Sequence, residues 1–81
     1  MKTTSYYRNI GKTIYALRWE HRISKAELAA KCNRSEHQIR KIENGLVNTH
    51  IGTIKAIAEV FGLSPAAFLA LAEKGEFVVE Q

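Results

Sequence analysis

Apolar residues along this chain fall into short stripes separated by polar stops. Tyr7, Ile10, Ile14 and Leu17 recur at spacings of three and four, the period of one buried helix face. They predict a first helix over about 6–21. "SKAE" at 24–27 has the form of a capping box and predicts a helix start at Ser24, with Leu28, Ala29 and Cys32 facing inward. "SEHQ" at 35–38 repeats the signal, with Gln38 in the reciprocal role. That third helix stops at Asn44-Gly45. Ile51, Ile54, Ile57, Ala58 and Phe61 form the strongest stripe and predict a fourth helix from near Thr49 to Gly62. Ser64-Pro65 opens a fifth, with Phe68, Leu69 and Ala72 inward and Gly75 at its end. The last residues, "EFVVEQ", are too few for a helix, and Phe77, Val78 and Val79 favour extended backbone.

The third segment has an unusual balance. Ile39 and Ile42 are its only large aliphatics, and around them stand Glu36, His37, Gln38, Arg40, Lys41 and Asn44. A core helix would not carry so many polar groups, and a fully solvated one would not align two isoleucines. One narrow stripe anchors this helix and leaves the rest facing a polyanion.

Five helices joined by two to six residues predict a compact all-α domain over 1–75 followed by a tail at 76–81. Segments two and three are separated only by Asn33-Arg34 ahead of Ser35, too short a link for side-by-side antiparallel packing. They must cross steeply, as in a helix-turn-helix unit over about 24–44. Such a unit needs a small residue at the crossing, which Ala29 supplies. Its turn needs a residue tolerant of positive φ, which Asn33 can be.

Charge sharpens the picture. The chain of 81 residues has a formal charge of +4. Residues 1–60 hold eleven Lys and Arg against five Glu, while 61–81 hold Lys74 against Glu73, Glu76 and Glu80. The basic body favours nucleic acid or another anionic surface as partner. There is no Asp, and the single cysteine, Cys32, rules out an internal disulfide. Cys32 reads as a buried thiol in a reducing cytoplasm. The amino end carries Lys2 with no apolar run behind it, so no signal peptide is expected. No stretch approaches the ~18 apolar residues of a membrane span.

The chemistry of an enzyme is missing from the pattern. His21, His37 and His50 lack metal-ligand spacing, a lone cysteine cannot build a zinc ribbon, and no glycine-rich phosphate loop is present. No metal or cofactor is implied. Tyr6, Tyr7 and Trp19 read as packing residues rather than as a platform for single-stranded bases, because they do not alternate with basic residues.

"IGKTIYALRWEHRISKAELAAKCNRSEHQIRKIENG", followed by "IGTIKAIAEVFGLSPAAFL", resembles the Cro/repressor, or XRE, helix-turn-helix family over about residues 8–70. The most specific pieces are "ELAAK", "IRKIENG" and "IKAIAEVFGLSPAAFL". The resemblance implies a five-helix lambda-repressor-like domain that binds double-stranded DNA, usually as a homodimer, and regulates transcription, here as a repressor. It also implies that Arg18 and Glu43 pair and brace the first helix against the third, with Glu43 orienting Arg18 toward the DNA backbone. The sequence departs from the family pattern at three places. Asn33 stands where Gly is usual, Arg34 where an apolar residue commonly packs, and Lys25 where Gln often opens the second helix.

With the helix at about 35–44 in the major groove, amino end first, the base-reading candidates are Glu36, His37, Gln38, Arg40 and Lys41. Arg40 can donate to guanine O6 and N7, and Glu36 can accept from cytosine N4. Gln38 either reads adenine or closes its own capping box. Phosphate contacts fall to Arg18, Ser24, Lys25, Asn44, Asn48 and His50. RNA fits less well, because its deep, narrow major groove does not admit a helix. The competing reading is an antitoxin or adaptor that uses the same fold to hold a protein. The acidic tail with Phe77-Val78-Val79 is then the protein contact, whereas in a regulator it is a candidate dimer interface.

Overall fold

Each helix is set by local signals at its two ends. In the computed structural model, which describes residues 3–46 and 49–75 and only the backbone of 3–5, the elements are α1 (Thr3–His21), α2 (Lys25–Cys32), α3 (Glu36–Glu43), α4 (Ile51–Val60) and α5 (Pro65–Lys74). The described residues are all-α, as the stripes predict. The tail at 76–81, expected to be extended or dimer-forming, lies outside them.

Serines open three helices. The Ser24 hydroxyl accepts from the Glu27 N–H at 3.0 Å, and the Ser24 N–H donates back to Glu27 Oε1 at 3.3 Å, closing the capping box. Ser35 accepts from the Gln38 N–H at 3.0 Å and Ser64 from the Ala67 N–H at 3.1 Å. The box expected at α3 is only half made, because the Gln38 side chain returns no bond to Ser35. Glutamine offers no negative charge to the helix dipole, so the reciprocal contact has less to hold it. α1 begins three residues earlier than its stripe suggests, and α4 begins at Ile51, with His50 rather than Thr49 at its boundary.

Four helices end in the same way. A left-handed residue follows the last turn, and its N–H and that of the next residue fold back onto the final carbonyls. Arg22 and Ile23 bond to the carbonyls of Trp19 and Arg18, and Asn33 and Arg34 to those of Ala30 and Ala29. Gly45 and Leu46 bond to those of Ile42 and Lys41, and Gly62 and Leu63 to those of Glu59 and Ala58. Two of the four left-handed positions are glycines. The other two, Arg22 at φ 56° and Asn33 at φ 57°, carry side chains.

The helices pack α1 against α3 and α5, α2 against α3 and α4, and α4 against α5. Ile10, Ile14, Leu17, Leu28, Ile39, Ile42, Ile54, Ile57, Phe61 and Phe68 fill the centre, and the smaller Ala29, Cys32, Ala58 and Ala72 are buried among them. Ile51 departs from its stripe and is exposed. It occupies the first position of α4, beyond the reach of the core. Asn9 ties the ends of the bundle together, donating from Nδ2 to the Ala72 carbonyl of α5 at 3.1 Å.

Candidate nucleic-acid interface

α3 owes its position to two isoleucines and a glycine on another helix. Ile39 and Ile42 are buried. Opposite them Gly11 of α1 lies against the end of α3. A Cβ there would sit 2.5 Å from the Ile42 carbonyl oxygen and closer still to that of Glu43. The missing side chain lets α1 and α3 touch backbone to backbone.

Arg18 and Glu43 lock the same contact. Arg18 Nε donates to Glu43 Oε2 at 2.6 Å and Nη2 to Oε1 at 3.1 Å, a two-pronged pair with both side chains almost wholly buried. Arg18 Nη1 donates to the Ile23 carbonyl at 3.2 Å, and the guanidinium lies 5.5 Å from the Tyr15 ring centroid. The implied brace between helices one and three is present. All three guanidinium nitrogens make a hydrogen bond inside the protein, so Arg18 holds α3 in place, and the second N–H groups of Nη1 and Nη2 remain beside the cleft that Arg18 lines.

The turn between α2 and α3 is fastened by the residue that departs from the family pattern. Arg34 is half-buried. Its Nη1 donates to the carbonyls of Cys32 and Asn33 at 3.3 and 3.2 Å, and its Nε lies 3.5 Å from Thr53 Oγ1 on α4. The arginine satisfies carbonyls at the end of α2, where its positive charge also suits the helix dipole. Beside it burial pushes the Cys32 thiol above its ordinary pKa, with Arg34 pulling partly the other way.

With α3 fixed, its outward side is defined. Glu36, His37, Arg40 and Lys41 are exposed and Gln38 is half-buried. Glu36 Oε1 lies 3.7 Å from Arg40 Nη2, one turn along. Glu43, the other carboxylate of α3, is turned inward to Arg18. The predicted base-reading residues therefore share one helix face, except that Gln38 sits at its edge and makes no side-chain hydrogen bond among the described residues.

The predicted phosphate contacts are more dispersed. Ser24 is exposed, with its oxygen used in the cap and its hydroxyl hydrogen still able to donate. Lys25 follows it, half-buried, at the first position of α2. Asn44 is exposed at the end of α3. His50 is exposed before α4 and makes no side-chain cap bond. Asn48 lies outside the described residues. Between the end of α1 and the start of α2 a cleft of about 630 Å³ is lined by Arg18, Trp19, Arg22, Ile23, Ser24 and Glu27.

Residues 14–68 match the helix-turn-helix family HTH_3. The chain belongs to that family. The matched span of this helix-turn-helix chain contains Arg18, Arg34, Glu43 and every base-reading candidate. Two solved structures share the fold. The clp gene regulator ClgR from Corynebacterium glutamicum superposes with a TM-score of 0.80 at 19% identity, over 85% of this chain and 73% of that one. An HTH_3 family transcriptional regulator from Vibrio cholerae gives 0.77 at 25% identity, over 85% of this chain and 39% of that one. No curated relative matches the chain. The family match, with the 25% identical HTH_3 regulator, supports a DNA-binding transcriptional regulator. Among the described residues no single helix is long and apolar enough to cross a membrane.

Three features of this site were not read from the sequence. Gly11 could have been, since a glycine inside a helical stripe signals close backbone approach. Arg34 carried a weaker signal, a cation directly after a helix end. Nothing local marks Arg22 as left-handed.

Proposed function

We propose that this helix-turn-helix chain is a sequence-specific regulator of transcription that binds double-stranded DNA as a homodimer in the cytoplasm. α3 enters the major groove amino end first. The observation that carries this reading is the division of α3 into a buried pair, Ile39 and Ile42, and an outward row of Glu36, His37, Arg40 and Lys41. Two locks on α1, at Gly11 and Arg18, hold that row rigid, and a fixed helix face is what base readout requires. Gln38 reads from the edge of the row. Arg18, Ser24, Lys25, Asn44, Asn48 and His50 grip phosphates, with Arg18 also bracing α3 through Glu43. The net charge of +4 draws the domain to the duplex. Repression is the simplest outcome, because a protein seated in the groove obstructs other proteins there without needing a further contact. The family match favours this reading over a protein-binding adaptor.

Selection from a random duplex library, sequenced and repeated over a salt series, tests it. A two-fold symmetric enriched site is expected. Arg40→Ala should then relax preference at one base pair per half-site by about 1–3 kcal/mol. Binding without enrichment, falling steeply with salt, would sink the proposal and leave only a phosphate-gripping surface.

A further inference from the structure

The two ion pairs on α3 are built differently. Arg18 and Glu43 are buried and two-pronged. Glu36 and Arg40 touch at a single 3.7 Å contact, and their side chains are 51% and 53% exposed. That contact is longer than the ~2.7–2.9 Å of a strong charge-assisted bond. Neither side chain makes another hydrogen bond among the described residues, so each can change partner at small cost.

We propose that Glu36 and Arg40 work as one specificity element, in which Glu36 withholds Arg40 from any duplex that lacks the right pair of bases. The inference rests on α3 reading the major groove. Against a generic sequence the carboxylate faces phosphates, which repel it, and neutralises the arginine that would otherwise add a phosphate contact. A site with guanine in reach offers Arg40 two acceptors, O6 and N7. Taking them frees Glu36, which then lies in the groove as an unpaired charge unless an exocyclic amine, such as cytosine N4, donates to it. Both bases must therefore be present for the exchange to be favourable. Residues four apart rise about 6 Å along a helix, and stacked bases are about 3.4 Å apart. The two bases read by the pair lie one or two steps from each other.

This makes Glu36 a discriminator rather than a source of affinity. Its gain is a lower affinity for every other duplex. His37 and Lys41, each one residue on, form a neighbouring row on one side of the pair, carry no such penalty and add contacts there.

The test uses the full chain, the duplex enriched by its own selection, and a scrambled duplex of equal length, with binding followed by fluorescence anisotropy. Glu36→Gln keeps the shape and removes the charge. It should bind the scrambled duplex severalfold tighter, with a salt slope steeper by about one phosphate. Its preference for the selected duplex should fall about tenfold, within the range of one lost base contact. Arg40→Lys keeps the charge and loses the fork. It should lose preference at the guanine without gaining on the scrambled duplex. The double variant should lose less than the two single losses combined, because the residues act together. If the wild-type chain enriches a site and Glu36→Gln keeps the same preference and salt slope, the pair is only a helix stabiliser and the proposal fails. If the wild-type chain enriches nothing, it is the groove-reading assignment itself that fails.

Discussion

Glu43 sits at the end of the helix whose outward face is assigned to DNA, yet it points away from that face and grips Arg18 of α1 through both carboxylate oxygens, at 2.6 and 3.1 Å. The pair is buried, so removing one partner strands the other charge in a poorly solvated place. Glu43→Ala or Arg18→Ala should each cost about 3–5 kcal/mol of stability. The double replacement Arg18→Met with Glu43→Leu should recover much of that loss, since a well-packed apolar pair often matches a buried ionic one. Urea melts of the four proteins measure it, and a double replacement no more stable than either alanine variant would show that no stranded charge accounts for the single losses.

Gly11 separates two opposing effects. Helix propensity alone says that Gly11→Ala should stabilise α1 by about 1 kcal/mol. The Ile42 and Glu43 carbonyls leave no room for a methyl group. Overpacking should reverse the sign and cost about 1–3 kcal/mol. A thermal melt decides between them, and a higher melting temperature for Gly11→Ala would mean the two helices are not in backbone contact.

Arg22 and Asn33 occupy the same left-handed region, at φ 56° and 57°, but they pay differently for it. Arginine has no local bond to offset the steric conflict, whereas asparagine adopts this region more readily. Arg22→Gly should gain about 1 kcal/mol, and Asn33→Gly distinctly less. Denaturation midpoints for the two variants give the order directly, and an equal gain would contradict it.

Cys32 ties stability to alkaline pH. Burial raises its pKa above the ordinary 9.0, so the folded chain holds the thiol proton more tightly than the unfolded chain. The contribution is complete below that ordinary value and is lost as pH rises through the raised one. Cys32→Ala should therefore flatten part of the alkaline fall in stability, leaving the part due to Tyr6, whose pKa is raised by burial and by Glu73. At neutral pH the native thiol should react with a disulfide reagent only as fast as the helix opens. A rapid burst of labelling would refute its burial.

The five helices were legible in the chain because their determinants are local. A serine before each of α2, α3 and α5, a proline at the start of α5 and a stop residue after each of α2 to α5 are short-range signals, and the 3.6-residue stripes name nearly all of the core. Ile51 escaped that logic, since periodicity counts a residue onto a stripe without knowing where the core ends. Gln38 escaped it too, since a fitting spacing does not ensure that a bond forms. The outward row on α3 was also readable, because two isoleucines fix which way an eight-residue helix must turn.

What only the packed molecule decided lies between elements far apart in sequence. Arg18 is placed with Glu43 through a resemblance, but its third bond, from Nη1 to the Ile23 carbonyl, is one that no local pattern encodes. Arg34 departs from the family pattern, and it clasps the turn because the fold brings Thr53 of α4 and the carbonyls of Cys32 and Asn33 within its reach. Gly11 is an unfavourable helix residue until α3 arrives against it. Sequence periodicity specifies which face of a helix is apolar, whereas the neighbour that covers that face, and the side chains it commits, are set when distant segments meet and buried polar groups must find partners.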